Sequence, residues 1–259
     1  MTWRARTTLY GDRAAWLTAR TLTLGASEAA ALLGESPFAG PWDVYVAKRD
    51  GAEVKEAEEF NESGGVDLND PKVRGTVLEP MIGIAYTAVT GRRHQPIGLA
   101  MGGLSTDVGI TRHRTQSWLT ASLDAVVFDD DPWAVSTGLD EGCGEWKSAK
   151  ESYKWGKDGA CIDGTWESHD RIIPCHIFVQ ALVQMAVTEL EFCDVGVFTG
   201  GLCFRHFRVL RHRATIDALV DELGKLWAWH IVDGNEPDLD GSAACIAACR
   251  ARLAENRTK

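Results

Sequence analysis

The sequence predicts an α/β protein, a mixed β-sheet core flanked by helices. Three observations lead there. Apolar residues recur at three- and four-residue steps over residues 73–90, 174–189 and 215–232, the spacing of helices with one buried face. Around these segments lie short apolar or alternating runs bounded by Gly, Asp and Pro, which read as strands. No linker is strong enough to split the 259 residues, so 1–259 is read as a single domain that ends in helices after residue 212.

Taken in order, residues 27–34 form a short helix with Ser27 as its N-cap and Gly34 as its stop. Pro41 suits the first turn of a helix over 42–49, where Val44, Tyr45 and Ala47 are available for packing. The stretch 51–71 is acidic and poor in large apolar residues, and is read as a mobile loop. In the helix over 73–90, Val77, Leu78, Met81, Ile84, Ala85 and Ala88 supply the period and Gly91 ends it. Strands are expected at 96–104, 118–128 and 142–148. Pro174 opens a helix that places Ile177, Phe178, Ala181, Leu182, Met185 and Ala186 on one face. Residues 193–199 and 202–210 read as a hairpin around Gly200-Gly201. A helix over 215–232 and an alanine-rich one over 242–253 complete the chain.

Composition narrows the function classes. With 45% hydrophobic and 25% charged residues the chain is of globular type. Met1-Thr2-Trp3-Arg4-Ala5-Arg6 has charge but no apolar run behind it, so no signal peptide is expected. No segment approaches the roughly 20 apolar residues of a membrane span. The seven cysteines form no CxxC and no zinc-finger spacing, and are read as free thiols of a cytoplasmic protein. A formal charge of −10 argues against a general nucleic-acid coat, yet the charges segregate. Acids crowd 50–70 and Asp129-Asp130-Asp131, whereas Lys147, Lys150, Lys154 and Lys157 group elsewhere, as do Arg205, Arg208, Arg211 and Arg213. An acidic outside with a basic groove gives this pattern, as does ordinary solvated surface charge.

The widespread catalytic signatures are missing: there is no Walker-A phosphate loop, no GxGxxG turn after a strand, no HExxH and no GxSxG. What stands out is Asp124 at the end of one strand-like run and Glu145-Trp146-Lys147 in the next. Strand alternation puts Glu145 and Lys147 on one face and Trp146 on the other. Two carboxylates beside an amine suit a magnesium ion, which takes hard oxygen ligands and keeps several waters. Such an ion polarises a phosphodiester and lowers the pKa of bound water. By itself this constellation is also an ordinary solvent-facing Glu and Lys pair.

Three further stretches carry a resemblance. Gly25-Ala26-Ser27-Glu28 through Ser36-Pro37-Phe38 resembles the opening motif of the YqaJ-like viral recombinases, the lambda-exonuclease type of PD-(D/E)xK nuclease. Arg74-Gly75-Thr76-Val77-Leu78-Glu79-Pro80 is similar to that family's glutamate helix. Leu123-Asp124-Ala125 with Gly144-Glu145-Trp146-Lys147 resembles its split metal motif, and Pro174 to Thr188 its glutamine helix. The motifs keep their order over about residues 10–212. Leu123 and Ala125 stand where the family has Pro and Gly, and the separation of Asp124 from Glu145 is long, with Asp129 to Gly142 read as a hairpin excursion.

The resemblance implies a restriction-endonuclease-like core and a Mg²⁺-dependent exonuclease, with Mn²⁺ able to substitute. It would degrade double-stranded DNA from its ends, 5′ to 3′, for phage-type recombination. Asp124 and Glu145 would hold the metal with the Trp146 carbonyl, and Glu79 would complete a second position. Lys147 would act on the water or the transition state, and Gln180 would position the water or the phosphate. Ser27, Arg20, Lys150 and Lys154 would contact DNA. A single-strand annealing protein as partner and a ring-shaped homo-oligomer are implied as well. An endonuclease of restriction or junction-resolving type and an inactive DNA-end-binding protein remain as alternatives. Trp118 and Trp155 are candidates to stack on bases. His206 and His212 are assigned to a basic surface, Gln180 and Gln184 fit equally one polar edge of a core helix, and no iron–sulfur cluster is expected.

Overall fold

A computed structural model describes residues 2–49, 67–129, 141–200 and 202–257. Most of the acidic loop expected at 51–71 and of the excursion between Asp129 and Gly142 lies outside the described residues. The chain starts with strand β1 (Thr7–Tyr10), helix α1 (Arg13–Thr21), strand β2 (Leu24–Gly25) and helices α2 (Ala26–Leu32), α3 (Pro41–Arg49) and α4 (Pro71–Thr90). Strand β3 (Arg93–Pro96), helix α5 (Ile97–Ala100) and strands β4 (Val108–Arg112), β5 (Leu119–Ala121), β6 (Ala125–Phe128), β7 (Glu141–Ala149) and β8 (Ala160–Ile162) follow. Helix α6 (Cys175–Thr188), strands β9 (Phe192–Thr199) and β10 (Cys203–Leu210), and helices α7 (Arg213–Leu226) and α8 (Ala243–Arg257) close the order.

The strands divide between two sheets. One runs β1-β4-β5-β2 and the other β3-β6-β7-β9-β10-β8. In the larger sheet β7 pairs antiparallel with β6 and parallel with β9, so the sheet is mixed, as expected. Helix α4 packs on one face and α6 on the other. Period-2 alternation explains the division: Trp146 joins Ile82 and Tyr86 of α4, whereas Cys143 and Val195 join Phe178 and Leu182 of α6. Gly196 lies opposite Trp146, and a Cβ there would sit 2.9 Å from the indole ring. Glycine is what allows the indole to lie across β9.

Several expectations change. The strand expected over 96–104 is instead β3, ending at Pro96, followed by α5. Proline closes the ladder because it has no N–H to give. The single run expected over 118–128 is two strands in different sheets, β5 and β6, with Asp124 at the crossing. Ser27 is not an N-cap: Gly25 holds that place, its N–H donating to Glu28 Oε2 at 2.8 Å, and Ser27 sits inside the first turn. Strands β1 and β4 and helix α1 escape the sequence reading because threonines in the strands and an exposed helix blur their periods. The glycine stops are as read, with Gly34 at φ 75° and Gly91 at φ 73°. The β9–β10 hairpin also stands, Thr199 facing Cys203.

Candidate active site

Asp124 and Glu145 come together because of where β6 ends. The ladder pairs Ala125 with Gly144, and two further antiparallel steps would bring Asp124 to Glu145 and Leu123 to Trp146. The chain instead leaves for the other sheet, and the Trp146 N–H donates to Asp124 Oδ2 at 2.7 Å. The aspartate thus satisfies an amide that the ladder abandons. Counting along the pleat, Asp124 and Glu145 point to the α6 side and Trp146 to the α4 side, as the alternation predicts.

Glu145 is 1% exposed and fully engaged. Gln180 Nε2 donates to its Oε1 at 2.7 Å, Gln184 Nε2 donates to its Oε2, and Lys147 Nζ forms an ion pair with Oε1. Residues 180 and 184 are one helical turn apart on α6, so both amides reach the same carboxylate. The sequence reading placed Gln180 in the site and left Gln184 as one edge of a core helix. The four-residue spacing was the available signal. Gln184 is completely buried, and its Oε1 accepts from Cys193 Sγ at 3.4 Å.

The electrostatics concentrate on this spot. Burial first, then the charges of Glu145 and Glu79, push the Asp124 carboxyl well above the usual carboxylate range. Burial and then Glu145 push Glu79 up to about 6. Burial works against the charge of Lys147, but Glu145, Asp124 and Glu79 outweigh it and raise its pKa. Three carboxylates and one cation therefore share a poorly solvated region.

Lys147 and Gln180 line a cleft of about 830 Å³, together with Ser27, Lys150 and Lys154. Arg20 reaches the cleft through Ser27, Nη2 donating to the serine Oγ at 2.8 Å. Behind them Lys48 Nζ pairs with Glu28 Oε1 at 2.8 Å, which fixes the start of α2. The structure thus gathers Ser27, Arg20, Lys147, Lys150, Lys154 and Gln180 around one cleft.

Other candidates are engaged in packing. Trp155 contributes to the cleft lining but is buried against Phe207, ring centroids 5.6 Å apart, and Trp118 lies outside the cleft, stacked on Trp227 at 5.8 Å. His212 caps α7, accepting from the Thr215 N–H, and His206 sits 3.1 Å from Asp158, so neither belongs to a free basic surface.

A family model described as the YqaJ-like viral recombinase domain matches residues 15–191. The chain belongs to this family. Its fold is similar to the crystal structure of an alkaline exonuclease (LHK-Exo) from Laribacter hongkongensis, with a TM-score of 0.54 and 20% identity over 83% of this chain and 91% of that one. The structure of LHK-Exo in complex with dAMP gives the same figures. No curated protein matches the chain. The expectations of the family, of a nuclease and of a mixed sheet between helices agree with these findings. No described helix is long and apolar enough to cross a membrane.

The donor set decides whether a divalent cation suits these residues. Asp124, Glu145 and Glu79 offer hard oxygens and an excess of negative charge that Lys147, with Arg13 acting on Glu79, offsets in part. Among the described residues no three His, Cys, Asp or Glu side chains form a ready-made cage. An ion that takes one or two carboxylates and keeps its waters, as magnesium does, fits such a set.

Proposed function

We propose that the protein is a divalent-metal-dependent exonuclease that resects duplex DNA from its ends, 5′ to 3′. The observation that carries this reading is Glu145 held by Gln180, Gln184 and Lys147 beside Asp124, with Lys147 and Gln180 opening onto the lysine-lined cleft. Asp124 and Glu145 would hold Mg²⁺, or Mn²⁺ in its place, with the Trp146 carbonyl, and Glu79 would orient the ion's waters or a second ion. A bound divalent cation supplies polarisation of the scissile phosphate and acidification of water.

The chain's own groups do the rest. Lys147 stays charged through its carboxylate neighbours and stabilises the charge that grows on the phosphoryl oxygens. Gln180 donates to Glu145, which orients its amide toward the cleft where the attacking water and the scissile phosphate meet. Ser27 Oγ with Arg20, and Lys150 with Lys154, hold DNA phosphates along the cleft walls. Family membership supports a role in recombination beside a single-strand annealing protein. A ring of copies, in the host cytoplasm, would place the acidic charge outside and the lysines of the cleft inside.

Linear duplex labelled at the 5′ or 3′ end, incubated with Mg²⁺ or EDTA beside a covalently closed circle, tests the reading. Early, Mg²⁺-dependent release of the 5′ label with the circle spared is expected. A cut circle would replace the exonuclease with an endonuclease. No cutting of any substrate would leave a DNA-end-binding protein.

A further inference from the structure

Phe38 is 83% exposed, although it belongs to the loop that forms one wall of the cleft. Its ring contact is edge-on with His176, centroids 5.3 Å apart at an interplanar angle of 90°. With 83% of the residue exposed, the phenyl ring is open to the cleft rather than packed in the core. Burial, and then Lys147 and Lys154, push His176 down to about 4, so at neutral pH its imidazole is an uncharged aromatic wall. Pro37, Ala39 and Val44 add apolar surface around it, while Lys147 and Lys150 line the same cleft. The lining thus combines flat apolar surface with lysines, which stand among the acids Glu28, Glu35, Asp43 and Glu151. A nucleotide has the matching shape, a π-face joined to a phosphate by a sugar.

We propose that Phe38, backed by His176, is a platform for the nucleobase of the terminal nucleotide while its phosphate faces the lysines. This rests on the nuclease reading and adds a base subsite to it. A π-face is common to all four bases, so the platform senses whether a stackable base is present and is tolerant of its identity. It favours an end whose last base can leave its pair. The perpendicular contact with His176 holds the phenyl orientation, so the part of His176 is positioning.

The test is binding of full-length protein to a duplex in EDTA, with 2-aminopurine as the 5′-terminal base. The wild type is expected to quench the 2-aminopurine emission on binding. Phe38→Ala should lose the quench and bind about tenfold more weakly, and Phe38→Trp should keep both. Replacing the terminal nucleotide by an abasic one should weaken the wild type by the same factor and leave Phe38→Ala unaffected. Equal losses for Phe38→Ala on both ends, or quenching that persists in it, would overturn the platform while leaving the nuclease reading in place. A change in sedimentation of Phe38→Ala would assign the ring to contact with a second copy and overturn it too. Wild-type protein that binds no duplex would remove the nuclease reading and the platform together.

Discussion

The Trp146 amide donates to the Asp124 carboxylate at 2.7 Å where β6 and β7 part. One side chain thus closes a sheet ladder and faces Glu145 across the strands. Asp124→Asn keeps an oxygen acceptor for that amide while removing the charge. The variant should fold with an unchanged far-UV spectrum and lose at least about a hundredfold in DNA degradation. Retained activity in the purified variant would displace Asp124 from the site.

Gln184 is the deeper of the two amides on Glu145, and nothing but protein surrounds it. Gln184→Ala leaves one oxygen of a buried carboxylate without its donor. A loss of about 1–3 kcal/mol in unfolding free energy by denaturant titration is expected. Mn²⁺ affinity measured calorimetrically should fall about 10–100-fold, because the oxygen is no longer aimed. Unaltered affinity would reduce Gln184 to a packing residue.

Glu79 carries a pH dependence whose sign can be worked out. Its folded pKa of about 6 lies above the ordinary value of 4.5, so the folded state binds the proton more tightly than the unfolded chain. Its contribution is favourable below about 4.5 and is lost as pH rises through 6. Glu79→Gln should therefore stabilise the metal-free protein by about 1–2 kcal/mol at pH 8 and leave it unchanged at pH 4. Thermal midpoints of both proteins across this range give the comparison.

Lys150 and Lys154 are placed to hold phosphates, and phosphate contacts release counterions. DNA affinity should fall steeply with salt despite the net charge of −10. Each alanine substitution should reduce the salt slope by about 1. A dissociation constant flat from low to physiological salt would dismiss the lysine contacts to phosphate.

On the α4 face, Arg208 holds the buried Asp194 with two bonds of 2.6 and 2.7 Å, and Tyr86 Oη donates to Asp194 Oδ2 at 2.5 Å. Removing one partner strands a buried charge. Arg208→Met should cost about 3–5 kcal/mol of stability, read by chemical denaturation, and leave the cleft's DNA affinity unchanged in the folded fraction.

Much of this was written in the chain. Helical periods located α4, α6 and α7 but not the buried face of α4. Val77, Met81 and Ile84, read as its apolar face, are exposed, whereas Ile82 and Tyr86 pack on the sheet, and α6 is buried all round from Ile177 to Thr188. The order Glu79, Asp124, Glu145-Trp146-Lys147, Gln180 marked, through its resemblance to the family, the residues proposed for the site, and strand alternation put Glu145 and Lys147 on one side. Strand membership was not legible: residues 118–128 look continuous, and only the sheet partners separate β5 from β6. Nor was the fate of Trp155 and Trp118, or the part of Gln184, because burial depends on what arrives from elsewhere in the chain. Local chemistry, spacing and caps are properties of neighbours in sequence. The abandoned amide at Trp146, the raised carboxyls and the exposed face of Phe38 exist only once distant segments meet and exclude water.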